Sequence, residues 1–402
     1  MRNFISLELK KIRNKSTVII SLLFLTIILI PWVQTAQSID VLDDEGNIHS
    51  GLGGWQILRE RTVEGTMTTD YLLQMKQNYK NSVDKPYIEG EVDTDRKLGK
   101  KLTFPHDALY WELNFPYEKY RVLNNSLNLT DEQLANFYEN WKSSFTEYLS
   151  NEQNLFPYTK EQIEIISQKM QKVHTPFLFK YDSGWEDLKI GLLNTSYLFF
   201  MFLAFILCEG FSKNASKGID KVTLSTKESR RKLISYKLGA ACVFSTIAYF
   251  VYIAVVLLFI NAVYTLHGWD SSVQIGTITF YSMNQLQEGL LYIAMGYFST
   301  LVVTHLILFL SVVFKRGKLV LAISLIYFYL VHTYQMGRGA LIEKMMVFMP
   351  QNFVNNLIGI ENLYFVGNTV FPYVFVALFL GIVYILLSRI GILIWMKRYY
   401  LQ

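Results

Sequence analysis

EGFSKNASKGIDKVTLSTKESRRKLISYK, residues 209–237, lies between two long apolar runs and carries eight basic residues: Lys213, Lys217, Lys221, Lys227, Arg230, Arg231, Lys232 and Lys237. Only Glu209, Asp220 and Glu228 stand against them. Basic loops between membrane spans stay in the cytoplasm. This loop is also longer and more patterned than a connector requires, so it reads as a docking surface.

Outward from the loop, the chain is 51% hydrophobic, 15% aromatic and 18% charged. A hydrocarbon core of about 30 Å takes ~20 apolar residues per helix. Six runs meet or approach that length: 17–35, 190–208, 239–264, 286–314, 319–336 and 371–395. The fifth is the shortest, and the fourth exceeds what a span needs, which points to tilt or to a start outside the bilayer. The first run is too long for a signal-peptide core, and no small-residue cleavage site follows Pro31-Trp32.

Charge orients these runs. Arg2, Lys10, Lys11, Arg13 and Lys15 precede the first; Lys315, Arg316 and Lys318 lie between the fourth and fifth; Lys397 and Arg398 close the sixth. The loop from Tyr264 to Gln285 has no Lys or Arg, and the loop from Gly337 to Phe371 has only Arg338 and Lys344. Both termini and the basic loop are therefore expected inside, and six spans alternate without contradiction.

Residues 36–189 then lie outside and have the size of a domain. Within 37–188 there are 16 Lys and Arg against 25 Asp and Glu, a formal charge of −9 in a chain whose total is +5. Such a field attracts cations or cationic peptides, although a solvated acidic surface is the commoner explanation. The domain reads as mainly helical. Thr130-Asp131-Glu132-Gln133 is a capping box, and Leu134, Phe137, Tyr138, Trp141, Phe145 and Leu149 follow at helical spacing. Thr159-Lys160-Glu161-Gln162 opens a second helix with Ile163, Ile166, Met170 and Val173 on one side. A third helix is expected over 55–80, weakened by Gly65 and the Thr66–Thr69 run, and 90–101 reads as a loop. A second external element, 338–370, with Met345, Met346, Phe348 and Met349, is expected to be re-entrant or interfacial.

The only cysteines, Cys208 and Cys242, sit at the cytoplasmic ends of spans, so no disulfide holds the external domain. That usage suits a single-membrane, Gram-positive bacterium. No zinc spacing and no catalytic constellation occurs. An ionisable group inside a span is a functional candidate, which singles out Glu288, His305 and His332 as candidates for a transport path. A neutral histidine bonded to a neighbouring helix is the commoner case. Arg389, near the inner end of the sixth span, is expected to snorkel. No Gly-x-x-x-x-Gly-Lys-Ser/Thr loop is present, so the chain does not bind ATP in the P-loop manner.

Two stretches carry a family resemblance. Residues 1–16 suit an interfacial helix, and their Leu7-Glu8-Leu9-Lys10 core is similar to the start of type-2 ABC exporter permeases. In the basic loop, Phe211-Ser212 followed by Gly218, Ser229, Arg230 and Lys237 resembles the Phe, Gly, Ser-Arg and Lys spacing found after the second span in that family. The six spans and the large external insertion look like the branch that includes sodium-efflux and peptide-immunity permeases. Asn214 and Ser216 stand where the family often has acidic residues, and Lys227 where it often has proline.

The resemblance implies a cytoplasmic coupling loop at 209–238, in which Gly218, Leu224, Ser229, Arg230, Arg231, Lys232 and Lys237 meet a separate ABC ATPase subunit. A short amphipathic helix within Val222–Ser235 would bury Val222, Leu224, Leu233 and Ile234 on that partner, with the basic residues at the rim. ATP and Mg would be bound by the ATPase, whose closure rocks two membrane halves. A second copy or a related permease would complete the path. The expectation is thus an all-α polytopic membrane protein of the cell membrane, with six transmembrane helices, a helical external domain and a cytoplasmic tail at 396–402. It is not itself an enzyme, carries no cofactor of its own and binds no nucleic acid; membrane lipids surround it. Its cargo would be a peptide, an amphiphile or a drug-like compound, in antimicrobial peptide export or immunity. Two other classes compete: a receptor that senses through the acidic domain, and a membrane-embedded enzyme, for which the spans offer only His305, His332 and isolated carboxylates.

Overall fold

The computed structural model describes residues 2–42, 47–83, 101–103, 130–150, 157–212, 227–334 and 345–398. The chain opens with α1 (Arg2–Ile12) and α2 (Lys15–Gln37). Asn14 caps α2 by accepting from the Thr17 amide at 2.9 Å, and the Thr17 hydroxyl donates to the Ile12 carbonyl, which fixes the bend between the helices. One face of α2 buries Phe24, Ile28, Trp32 and Ala36, four residues apart. The opposite face exposes Val18, Ile19, Leu22, Leu23, Ile27 and Ile30. A contiguous apolar stripe of that kind is stable against lipid, not water.

A domain follows, inserted between α2 and the next long helix. Its described helices are α3 (Leu52–Arg61), α4 (Thr69–Val83), α5 (Asp131–Ala135), α6 (Phe137–Leu149) and α7 (Lys160–Met170). Both expected capping boxes, at Thr130 and Thr159, are formed in full. The helix expected after Thr130 breaks at Asn136, yet Leu134, Phe137 and Trp141 all stay buried. The expected helix at 55–80 is instead two helices, because Gly65–Thr66 forms strand β3 of a small sheet. The Tyr71 ring lies about 3.0 Å from where a Cβ on Gly65 would stand, so a larger residue there would displace it.

The domain is also less purely helical than its sequence suggests. In chain order β1 (Ile39–Leu42), β2 (Ile48–Ser50), β3, β4 (Lys101–Thr103) and β5 (Leu178–Phe179) contribute. β1 pairs antiparallel with β2 and parallel with β4, and β3 pairs antiparallel with β5. Strands this short carry too few residues for an alternating pattern to be read. The expected loop at 90–101 lies outside the described residues, apart from Lys101 in β4.

The domain is fastened to the helical bundle. Its core of Met67, Leu72, Phe137, Trp141, Ile166, Met170 and Phe177 continues into Ile275, Ile360, Leu363 and Val370 from the later loops. The Tyr138 hydroxyl donates to the Met67 carbonyl (2.9 Å) and accepts from the Phe177 amide (2.9 Å). Tyr158 does the same between the Ile360 carbonyl (2.8 Å) and the Leu363 amide (2.9 Å). Lys180 pairs with Asp270 at 2.7 Å, and this contact holds the Asp270 carboxyl below the usual carboxylate range.

The remaining helices are α8 (Ser183–Leu207), α9 (Lys227–Val263), α10 (Gln285–Phe314), α11 (Gly317–Tyr334) and α12 (Tyr373–Arg398). With α2, five helices are long and apolar enough to cross a membrane. α11 is the shorter apolar one: 18 residues, about 27 Å at 1.5 Å per residue. α10 is the most buried of the five and forms the bundle's axis. Glycines let α12 approach it: a Cβ on Gly381 would meet Phe298 at 2.2 Å, and one on Gly391 would meet Phe309 at 2.4 Å.

Two helices begin before their expected apolar runs. α8 starts at Ser183, so Glu186 and Lys189 are helical, and α9 starts at Lys227 inside the basic loop. Hydropathy marks where hydrocarbon ends, not where a helix ends. The element at 338–370 has, over its described part, short helical turns and a hairpin of β6 (Leu363–Val366) and β7 (Thr369–Pro372). Gly367, at φ 58°, makes the tight turn that the hairpin needs.

Candidate functional site

The bundle has two polar centres at opposite ends. At the end that carries the inserted domain, Asp182 occupies the N-cap position of α8, and Glu186 and Lys189 follow on its first turns. Asn284 caps α10 with a full capping box, which places Gln285 and Glu288 one turn apart, facing α8. Lys189 Nζ donates to Glu288 Oε2 (2.6 Å), Glu186 Oε1 (2.8 Å) and Gln285 Oε1 (3.1 Å). Gln285 Nε2 donates to Asp182 Oδ2 (2.9 Å) and Glu186 Oε1 (3.1 Å). Thr277 Oγ1 donates to Glu288 Oε1 (3.2 Å).

The centre of this network is buried, while Glu186 keeps 32% of its side chain exposed. Lys189 is 6% exposed, and Gln285 and Glu288 are fully buried. Removing an ion from water costs several kcal/mol, so each charge here needs its partners. Three carboxylates share one ammonium, and the imbalance falls on Asp182. Burial, then the Glu186 charge, pushes its carboxyl up to about 7.

At the opposite end, Lys237 is buried on α9, and its Nζ donates to the Gly210 carbonyl at 2.7 Å. The same ammonium lies 4.9 Å from the Phe211 ring centre, within cation–π range. The Phe211 amide donates to Ser311 Oγ at 3.2 Å. The end of α8 is thereby tied to both α9 and α10 just where the basic loop departs.

The other expected coupling residues divide. Gly218 and Leu224 lie outside the described residues. Ser229, Arg230 and Arg231 fall on the first turns of α9, and Lys232 is exposed beside them. The separate short helix expected over Val222–Ser235 is corrected for its second half: from Lys227 it is continuous with α9. Ile234 is buried in the bundle core and Leu233 packs against it. These two side chains are therefore used within the chain.

The three candidates for a transport path are not brought together. Glu288 belongs to the network at the domain end. His305 lies 17 residues further along α10, about 25 Å down its axis. Its Nδ1 is 2.8 Å from the Leu301 carbonyl, and Nε2 faces Arg389 Nε at 3.2 Å. A ring that donates at Nδ1 and accepts at Nε2 is neutral and bonded to a neighbouring helix. Arg389 thus reaches across to α10 instead of only towards the membrane surface. His332 stacks on Tyr197 of α8, with ring centres 3.9 Å apart.

Lys189 is the residue that sequence reading missed. It falls at the boundary drawn between domain and span. The available signal was an i, i+3 Glu186–Lys189 pair entering one apolar run and Glu288 entering another, two matched charges at the same depth. Among the described residues, no His, Cys, Asp and Glu group has the arrangement to hold a metal ion. No family model matches the sequence, and neither the curated proteins nor the solved structures give a match.

Proposed function

We propose that the chain is the membrane subunit of an ATP-driven exporter, coupled through its basic loop to a separate cytoplasmic ATPase that binds ATP and Mg. The observation that carries this reading is α9. Its 37 residues extend about 55 Å, against a hydrocarbon core of about 30 Å. Its first turns carry Arg230, Arg231 and Lys232, of which Lys232 is exposed. A helix that passes unbroken from a basic docking segment into the bundle acts as a lever: force on its first turns reaches the core without a hinge. The Lys237–Gly210 contact adds α8 to the moving body.

In this reading the domain end faces outward, and the paired network there keeps α8 and α10 together while the opposite end moves. Completion of the path requires a second copy or a related permease. Cargo of the peptide or amphiphile class fits the spans better than a bare ion, because the described ionisable groups do not line up along them. Purification under mild detergent from the native membrane tests the reading. Recovery of an ATPase subunit with the chain is the expected result, and its consistent absence would remove the basis for an exporter.

A further inference from the structure

Arg389 is exposed on α12, yet it stands deep along the helix. Lys397 follows eight residues later, about 12 Å further along the axis. His305, its contact on α10, precedes Lys315 by ten residues, about 15 Å. With those lysines at the interface, the guanidinium is close to halfway into a hydrocarbon core of about 30 Å. A cation at that depth is costly unless it is paired or reached by water, and it marks a functional site. It does not escape along its own helix: Nε donates sideways to His305 Nε2 at 3.2 Å. The neutral ring positions the group without balancing its charge, and it takes one of five N–H donors. Among the described residues no carboxylate forms an ion pair with Arg389. Ile382, Leu386, Ile390 and Leu393 are exposed beside it, at the three- and four-residue spacing that puts them on one face.

We infer that this face of α12 binds a long-chain carboxylate of the fatty-acid class, with Arg389 holding its headgroup partway across the bilayer. The occupant must bring one negative charge and an apolar body. A second copy of the chain brings no such charge: the carboxylates within the described membrane helices α8 and α10, Glu186, Asp187 and Glu288, stand at the domain end. With Nε on His305, the two terminal nitrogens of the guanidinium form a fork that matches a carboxylate. One cation balances that headgroup, whereas a phosphate monoester would carry excess charge into hydrocarbon. The acyl chain lies along Leu386 and Ile382. Entering from the leaflet on the basic-loop side, the headgroup meets its counter-charge where desolvation is greatest. As a statement about cargo this rests on the exporter reading and narrows its amphiphile class; the binding itself needs no ATPase.

The test therefore uses the full chain alone, in phosphatidylcholine nanodiscs at alkaline pH, without ATPase or nucleotide. A diazirine-bearing palmitic acid and the matching diazirine alcohol serve as probes, and labelled peptides are mapped by mass spectrometry. The acid should label 382–393 about tenfold more than the alcohol, the order of a charge-assisted hydrogen bond gained. Arg389→Gln should remove that preference and leave alcohol labelling unchanged. In the parent chain, unlabelled oleate should compete and oleyl alcohol should not, which keeps the test open if the variant fails to fold. Equal labelling by acid and alcohol would overturn the proposal, as would acid labelling that survives Arg389→Gln. Competition by phosphatidylglycerol as strong as by oleate would assign the cation to a resident phospholipid and overturn the fatty-acid class. Cross-linking of two copies through Ile390→Cys, with no acid preference, would give the face to a second copy and overturn it as well. An absent ATPase would sink the exporter reading and leave this labelling as expected.

Discussion

The two ends of the bundle handle charge in opposite ways. At the domain end, Lys189, Glu288 and Gln285 are buried, Glu186 and Asp182 are partly buried, and the five bond to one another across α8 and α10. At the other end, one buried lysine ties the helices, and the basic turns of α9 lead out of the core. Buried charge that is paired internally fixes a geometry and is expensive to disturb. Exposed charge contributes little to folding. The contrast sets an internally paired end beside the inserted domain against an end where α9 begins in a run of basic residues.

The sharpest way to break the contrast is Lys189→Met. It strands the fully buried Glu288 without its ammonium partner and should cost about 3–5 kcal/mol, read as a large fall in melting temperature in detergent. Adding Glu288→Leu should recover much of that loss, because the buried pair is then replaced by apolar contact; no recovery would mean that the network is not a unit. A smaller loss is expected for Tyr138→Phe. It leaves the Met67 carbonyl and the Phe177 amide without their shared hydroxyl, at about 1–3 kcal/mol, measured by denaturant unfolding of the full chain.

Asp182→Asn sharpens the same end by pH. Burial pushes its carboxyl up to about 7 in the folded chain, against about 3.9 when unfolded. The folded state therefore holds a proton that the unfolded state has released. The stability this provides is complete below about pH 4 and is lost as the pH rises through about 7. The melting temperature of the native chain should fall between pH 5 and 8, and that of the Asn variant should fall less. The smallest stability effect belongs to the loop end: Lys232→Glu should stay within about 0.5 kcal/mol of the parent, because its side chain is exposed.

Much of the helical layout was legible because apolar runs and capping boxes are local signals. Thr130 and Thr159 bond within four residues of themselves, so four letters suffice to find them. The central contact of the candidate site was not legible in the same way. Lys189 and Glu288 are far apart in the chain, and each alone reads as an interfacial charge; only the packing of α8 on α10 makes them a buried pair. The strands β1 and β4 were hidden for a related reason, since a parallel pairing between Ile39 and Lys101 has no local signature. Leu233 and Ile234 were misassigned to a partner because amphipathic spacing does not say which surface an apolar face will cover. Here it is the chain's own core.

The proposed exporter role requires that the basic start of α9 transmit ATP hydrolysis to the bundle. Its most direct test is the ATPase activity of the copurified complex in liposomes, with Arg230→Glu and Lys232→Glu introduced together. The account predicts that hydrolysis falls to the rate of the isolated ATPase, while membrane insertion and melting temperature stay at the parent values. Unchanged hydrolysis in a normally inserted variant would contradict it and would leave the loop as a membrane anchor.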